Sequence, residues 1–122
     1  MTGWFGADGF IPHGYCLSWD SDLMMAMVLS NAMIALAYLC ITFVLVRKAL
    51  EPVVVVPRWL YWSYAAFIFC CGFSHIVDDV TLWYPVYRLQ AAILAATALI
   101  SVFAALMPLS FLLTREAARW RK

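Results

Sequence analysis

The sequence predicts an all-α membrane protein built on three transmembrane helices, and three observations carry that reading. Of the 122 residues, 66% are hydrophobic and only 12% charged, with a mean hydropathy of +0.88. Soluble domains are about half apolar and a quarter charged, so a soluble globule of this length would have to expose much of its apolar surface. Second, stretches 23–46 and 89–113 carry no charged residue, and 59–77 carries only His75. Each is near the roughly 20 helical residues needed to cross a hydrocarbon core about 30 Å thick. Third, lysine and arginine fall in two clusters that three spans place on one side of a membrane. The formal net charge of +1 excludes a nucleic-acid module resting on a basic surface. Disorder and a β-barrel are excluded by the apolar content and the absence of alternation.

The elements follow in order. Residues 1–21 are expected to form an extracytoplasmic leader with Asp8 and Asp20 and no basic residue. The first span starts too late and runs too long for a cleaved signal peptide, and it lacks a basic flank. The first loop carries Arg47, Lys48 and Arg58, and its Pro52 and Pro57 bracket four valines. The second loop has Asp78, Asp79 and only Arg88, with a turn at Trp83-Tyr84-Pro85. The adjacent aspartates read as solvated turn residues. The tail, residues 114–122, carries Arg115, Arg119, Arg121 and Lys122 on a continuing helical pattern. The N-terminus is therefore expected outside and the C-terminus in the cytoplasm. Trp19, Trp83, Tyr84 and Tyr87 mark one interface, and Trp59, Tyr61 and Trp62 the other. Residues 22–113 form the three-helix domain.

At 100° per residue, Tyr64, Ile68, Cys71 and His75 share a face of the second span. Cys71 and His75 stand i, i+4, so thiol and imidazole lie one turn apart, while Cys70 points elsewhere. Such a pair suits a soft metal; with few ligands in an apolar site, Cu(I) is the natural candidate, whereas zinc would want four. The plainer alternative is a packing cysteine and an interfacial histidine. On the first span Met24, Met27, Asn31, Tyr38 and Thr42 form one stripe. Counting from the span ends puts Asn31 about 12 Å deep and Cys71 about 9 Å deep, at much the same level. Gln90, Thr97, Ser101 and Pro108 share a face of the third span and should turn inward, most simply as interhelical hydrogen-bonders. Ala91, Ala92, Ala95 and Ala96 permit close helix approach, within a protomer or across a dimer.

Ser30-Asn31-Ala32-Met33-Ile34-Ala35-Leu36-Ala37-Tyr38 resembles the SD-x-x-IALAY stretch in the first helix of ethylene receptors. Ala66-Phe67-Ile68-Phe69-Cys70-Cys71-Gly72-Phe73-Ser74-His75 resembles their AFI-x-x-CG-x-TH stretch. Thr81-Leu82-Trp83 and a third span rich in Ala, Thr, Ser and Val continue the likeness, which covers roughly residues 10–113. Phe10-Ile11-Pro12-His13-Gly14-Tyr15-Cys16 looks like the leader of bacterial members. The resemblance implies a dimeric, copper(I)-dependent ethylene-binding sensor domain, the input module of a signalling receptor, with Cys71 and His75 as metal ligands. Asn31, Tyr38, Tyr64 and Ile68 would surround the ligand. The chemistry is coherent. Ethylene offers two heavy atoms and no polar group, so a pocket alone yields at most about −3 kcal/mol. A d¹⁰ Cu(I) can accept its π electrons and donate back.

This chain departs from the family pattern at Asn31, where the family has Asp. Asn31→Asp is therefore expected, on sequence, to strengthen copper retention or ethylene binding. The family's proline after the tyrosine of the first helix is absent, and Tyr64 stands where plant members have Phe. His13 and Cys16, an H-x-x-C pair beside the first span, could hand copper inward, or Cys16 could link a dimer, the outside being oxidising. The expected setting is a multi-pass protein of a bacterial inner membrane, or of the endoplasmic reticulum if the source is a plant. Its expected partners are ethylene, lipid, a second copy and a downstream signalling domain beyond this chain. No paired carboxylates, phosphate loop or nucleophile–base pair points to an enzyme. Three competing functions are open on sequence: a membrane sensor of copper or another small ligand that does not take ethylene, a plain anchor and dimerisation module, and a membrane redox enzyme using haem with His13 and His75 as axial ligands.

Overall fold

The computed structural model describes residues 6–119; the basic residues Arg121 and Lys122 and the first five residues of the leader lie outside that range. Three long helices follow a short 3₁₀ turn at His13–Tyr15: α1 Ser21–Ala49, α2 Arg58–Thr81 and α3 Tyr87–Arg119. All three are long and apolar enough to cross a membrane. The expected all-helical, three-span architecture is what the chain adopts.

Local chemistry sets the ends. Asp20 caps α1, its carboxylate accepting from the backbone N–H of Asp22 and Leu23 at 3.1 and 3.0 Å, which satisfies two of the donors a helix start leaves open. Arg47 and Lys48 occupy the last turn of α1, where cations complement the helix dipole. Arg58 at the start of α2 reaches back to the carbonyls of Glu51 and Pro52 at 2.9 and 3.2 Å. That contact ties down the proline-bracketed loop, whose Val53 and Val55 are almost wholly exposed. Pro108 lies inside α3; the backbone hydrogen bond it removes is tolerated in spans where neighbouring groups adjust.

Helix α2 is the hub: it packs along both α1 and α3, whereas α1 and α3 scarcely touch. Helices α1 and α2 approach tightly at Gly72, where an added Cβ would lie 3.0 Å from the Cβ of Tyr38 and 3.5 Å from the carbonyl of Ala35. Ala35 is buried there. The Met24–Thr42 stripe of α1 is half-buried or buried while Cys40 opposite is exposed, as its helical phase requires. On α3, Thr97 and Ala104 are buried. Thr97 and Ser101 do turn inward, but they do not bond across helices. Their hydroxyls donate to the carbonyls of Ile93 and Thr97 in their own helix at 2.8 and 2.6 Å. Small hydroxyls in a dry environment find the i−4 carbonyl before a neighbouring helix. The alanines at 91, 92, 95 and 96 are exposed within the protomer, so none of them serves packing there.

The leader folds back over the C-terminal end of α2 and the start of α3. Gly14 donates its N–H to the carbonyl of Leu82 at 2.9 Å, and Tyr87 donates its hydroxyl to the carbonyl of Ile11 at 2.9 Å. The Phe10 ring stands edge-on to Tyr87, with the Arg88 guanidinium over its face. Ser18 and Trp19 both take φ of 53°, a left-handed corner that swings the Trp19 ring onto Gly14.

Candidate functional site

The site lies on the α1–α2 seam, toward the leader end. His75 presents Nδ1 to the Asn31 side-chain oxygen at 3.0 Å. The same Asn31 amide donates Nδ2–H to Asp79 Oδ1 at 2.9 Å. The roles in this chain are dictated by Asp79. An ionised carboxylate only accepts, so the amide NH₂ faces it and the amide oxygen faces the imidazole. A proton on Nδ1 would complete that contact and leave Nε2 as the nitrogen with a free lone pair. The Tyr38 ring stands edge-on to His75, with centroids 6.2 Å apart. Cys71 lies one turn from His75 on α2 and is half-buried, as is Cys70.

Of the residues singled out on sequence, Asn31, Tyr38, Cys71 and His75 come together on this seam. Tyr64 and Ile68 sit half-buried on the same face of α2, one to three turns farther from the leader. The relative depth differs from the count made on charge-free stretches. Asn31 faces His75 and Asp79, while Gly72, beside Cys71, faces Ala35 and Tyr38. The count also ended α2 too early: the helix does not stop at Val77 but runs on to Thr81.

That extension also corrects the reading of Asp78 and Asp79 as solvated turn residues. Both are half-buried members of α2. Asp78 accepts from Gln90 Nε2 of α3 at 2.6 Å, and Asp79 accepts from Asn31 of α1. Being adjacent on a helix, they point about 100° apart and reach different neighbours. Sequence reasoning missed Asp79, although a signal existed: it stands four residues after His75 and eight after Cys71, on the face already picked out.

Beside this site, at the leader end, a cleft of about 340 Å³ opens between α1, α2, α3 and the leader. His13, Met27, Asn31, Asp78, Tyr87 and Gln90 are among its walls. The H-x-x-C pair is split: His13 lines the cleft, and Cys16 is exposed and outside its lining.

The donor chemistry on the seam fits a low-coordinate Cu(I). It offers one sulfur and one imidazole nitrogen a turn apart, with the other ring nitrogen held by an outer acceptor, the arrangement that orients metal-bound histidines in general. Among the described residues no group of three or more His, Cys, Asp and Glu could hold a metal, so the seam does not present the four-ligand set of a structural zinc site.

The fold defines an integral membrane protein, and its candidate site lies between the first two spans. Residues 22–114 match the family model described as Ethylene receptor 1-like, N-terminal domain, and the chain belongs to that family, a receptor sensor domain. The match takes in all three spans and leaves the leader turn with His13 and Cys16 outside it. Searches of curated proteins and of solved structures gave no match.

Proposed function

We propose that this chain is a copper(I)-dependent ethylene-binding sensor with no catalytic activity of its own. In this reading Cys71 Sγ and His75 Nε2 hold the ion. When bound, Cu(I) supplies the π-acceptor and back-donating orbitals that ethylene needs and no side chain has. The protein's part is to orient and shield. Asn31 fixes the imidazole, Tyr38 walls its edge, and Tyr64 and Ile68 continue the apolar face. The observation that carries the reading is the Asn31 oxygen on His75 Nδ1: it commits the other ring nitrogen to donation, one turn from a thiol, in a chain of the ethylene receptor family.

The protein works as a homodimer with the leader outside and the tail in the cytoplasm, in a bacterial inner membrane. It passes occupancy to a signalling domain beyond this chain. The basic clusters at 47–58 and 115–122 support the orientation. The exposed alanines of α3 offer a face on which a second copy can approach closely. His13 in the cleft wall would meet copper arriving from outside.

Radiolabelled ethylene binding to membranes, with and without copper loading, tests the reading. Saturable binding that depends on copper is expected. Copper retained at Cys71 without ethylene binding would instead make the chain a copper or other small-ligand sensor, and neither copper nor ethylene would leave an anchor.

A further inference from the structure

The geometry points to Asp79 as a positioning residue that acts on His75 through the Asn31 amide. The family's pattern has a carboxylate at position 31; this chain has a neutral amide there and a carboxylate one hydrogen bond farther out. An amide alone is ambiguous, because flipped by 180° it would present NH₂ to the imidazole and select the opposite tautomer. Asp79 Oδ1, 2.9 Å from Nδ2, removes the ambiguity. It accepts only, so it holds the oxygen of Asn31 toward Nδ1 at 3.0 Å. Hydrogen bonds in series also polarise one another. The charge on Asp79 thus makes the amide oxygen a stronger acceptor and His75 Nε2 a better donor. The spacing serves the same end, since Asp79 is one turn beyond His75 on α2 and a single amide from α1 bridges both.

This inference rests on the reading of Cys71 and His75 as the copper site, but its test does not need the metal. The full chain in lipid nanodiscs, metal-free and with labelled imidazole nitrogens, is examined by NMR; His13→Gln assigns the signals, there being two histidines. Native His75 is expected as the Nδ1–H tautomer. Asp79→Ala should lose that preference, and Asp79→Ala with Asn31→Asp should restore it by returning a carboxylate to position 31. Asp79→Asn, alike in shape but neutral and able to donate as well as accept, should weaken it too while the fold stays intact, which separates loss of the accept-only carboxylate from a folding defect in the alanine variant. Copper affinity should follow the same order, falling about 10–100-fold in Asp79→Ala, the usual effect of losing an outer partner of a metal-bound histidine, and recovering in the double variant. An unchanged tautomer and unchanged copper affinity in Asp79→Ala would overturn the proposal, as would failure of the double variant to recover either. If the native chain takes no copper, the copper reading fails, and the tautomer series alone decides the role of Asp79.

Discussion

The two seams of α2 use one interaction to different ends. Toward α3, Gln90 donates its amide to Asp78 at 2.6 Å. Toward α1, Asn31 donates its amide to Asp79 at 2.9 Å. Both are carboxamide-to-carboxylate bonds between helices, made by adjacent aspartates near the leader end. The first stops there and joins two helices. The second continues from the amide oxygen to an imidazole, so that the same chemistry sets a tautomer. The difference teaches that the function of a buried polar pair is decided by its third member, not by the pair.

The largest effect should come from the ligands themselves. Cys71→Ser is expected to lose copper almost entirely. Cys70→Ser, equally half-buried but on another face, should keep most of it; metal analysis of the two purified proteins decides. Equal loss in both would dissolve the distinction between the faces of α2.

Next in size is the seam that brings α1 to α2. Gly72→Val puts a branched side chain where even a Cβ lies 3.0 Å from Tyr38, and overpacking of this kind costs about 1–3 kcal/mol. The helices must part, and the Asn31–His75 bond with them. A lower melting temperature together with weakened copper binding is expected, and an unchanged copper affinity would detach the site from the seam.

The comparison of the two seams is sharpened by Gln90→Ala. It removes an interhelical bond of a kind worth about 0.6 kcal/mol in membranes, so a small loss of thermal stability is expected with copper affinity unchanged. A loss matching that of Asp79→Ala would show that the two aspartates are not separate in function.

The smallest effect expected is that of Asn31→Asp alone. From the sequence it reads as a gain, because a carboxylate would offset the charge of Cu(I). The Asn31–Asp79 contact leads to a different prediction: the new carboxylate would face Asp79 across the 2.9 Å contact, two acceptors with no hydrogen between them unless one is protonated. No gain in copper affinity should appear until Asp79 is also removed.

How far the sequence can be read follows from what each feature depends on. The three spans are legible because they depend on local composition, and the Asn31 stripe and the Cys71–His75 face because they depend on helical period. The α2 end is not, because a charge-free window treats an aspartate as a stop, and these two remain helical through partners 48 and 12 residues away in the chain. The leader is opaque for a similar reason. His13 and Cys16 look like a pair by spacing, but Gly14 docking on Leu82 and the left-handed corner at Ser18 and Trp19 send them to different surroundings.

The central claim is that Cys71 and His75 together hold a copper(I) that ethylene can reach. X-ray absorption at the copper edge, on loaded protein before and after ethylene, tests it most directly. The account predicts copper(I) with a thiolate sulfur and an imidazole nitrogen as neighbours, and additional light-atom neighbours on exposure to ethylene. A copper environment without sulfur, or one indifferent to ethylene, would contradict it.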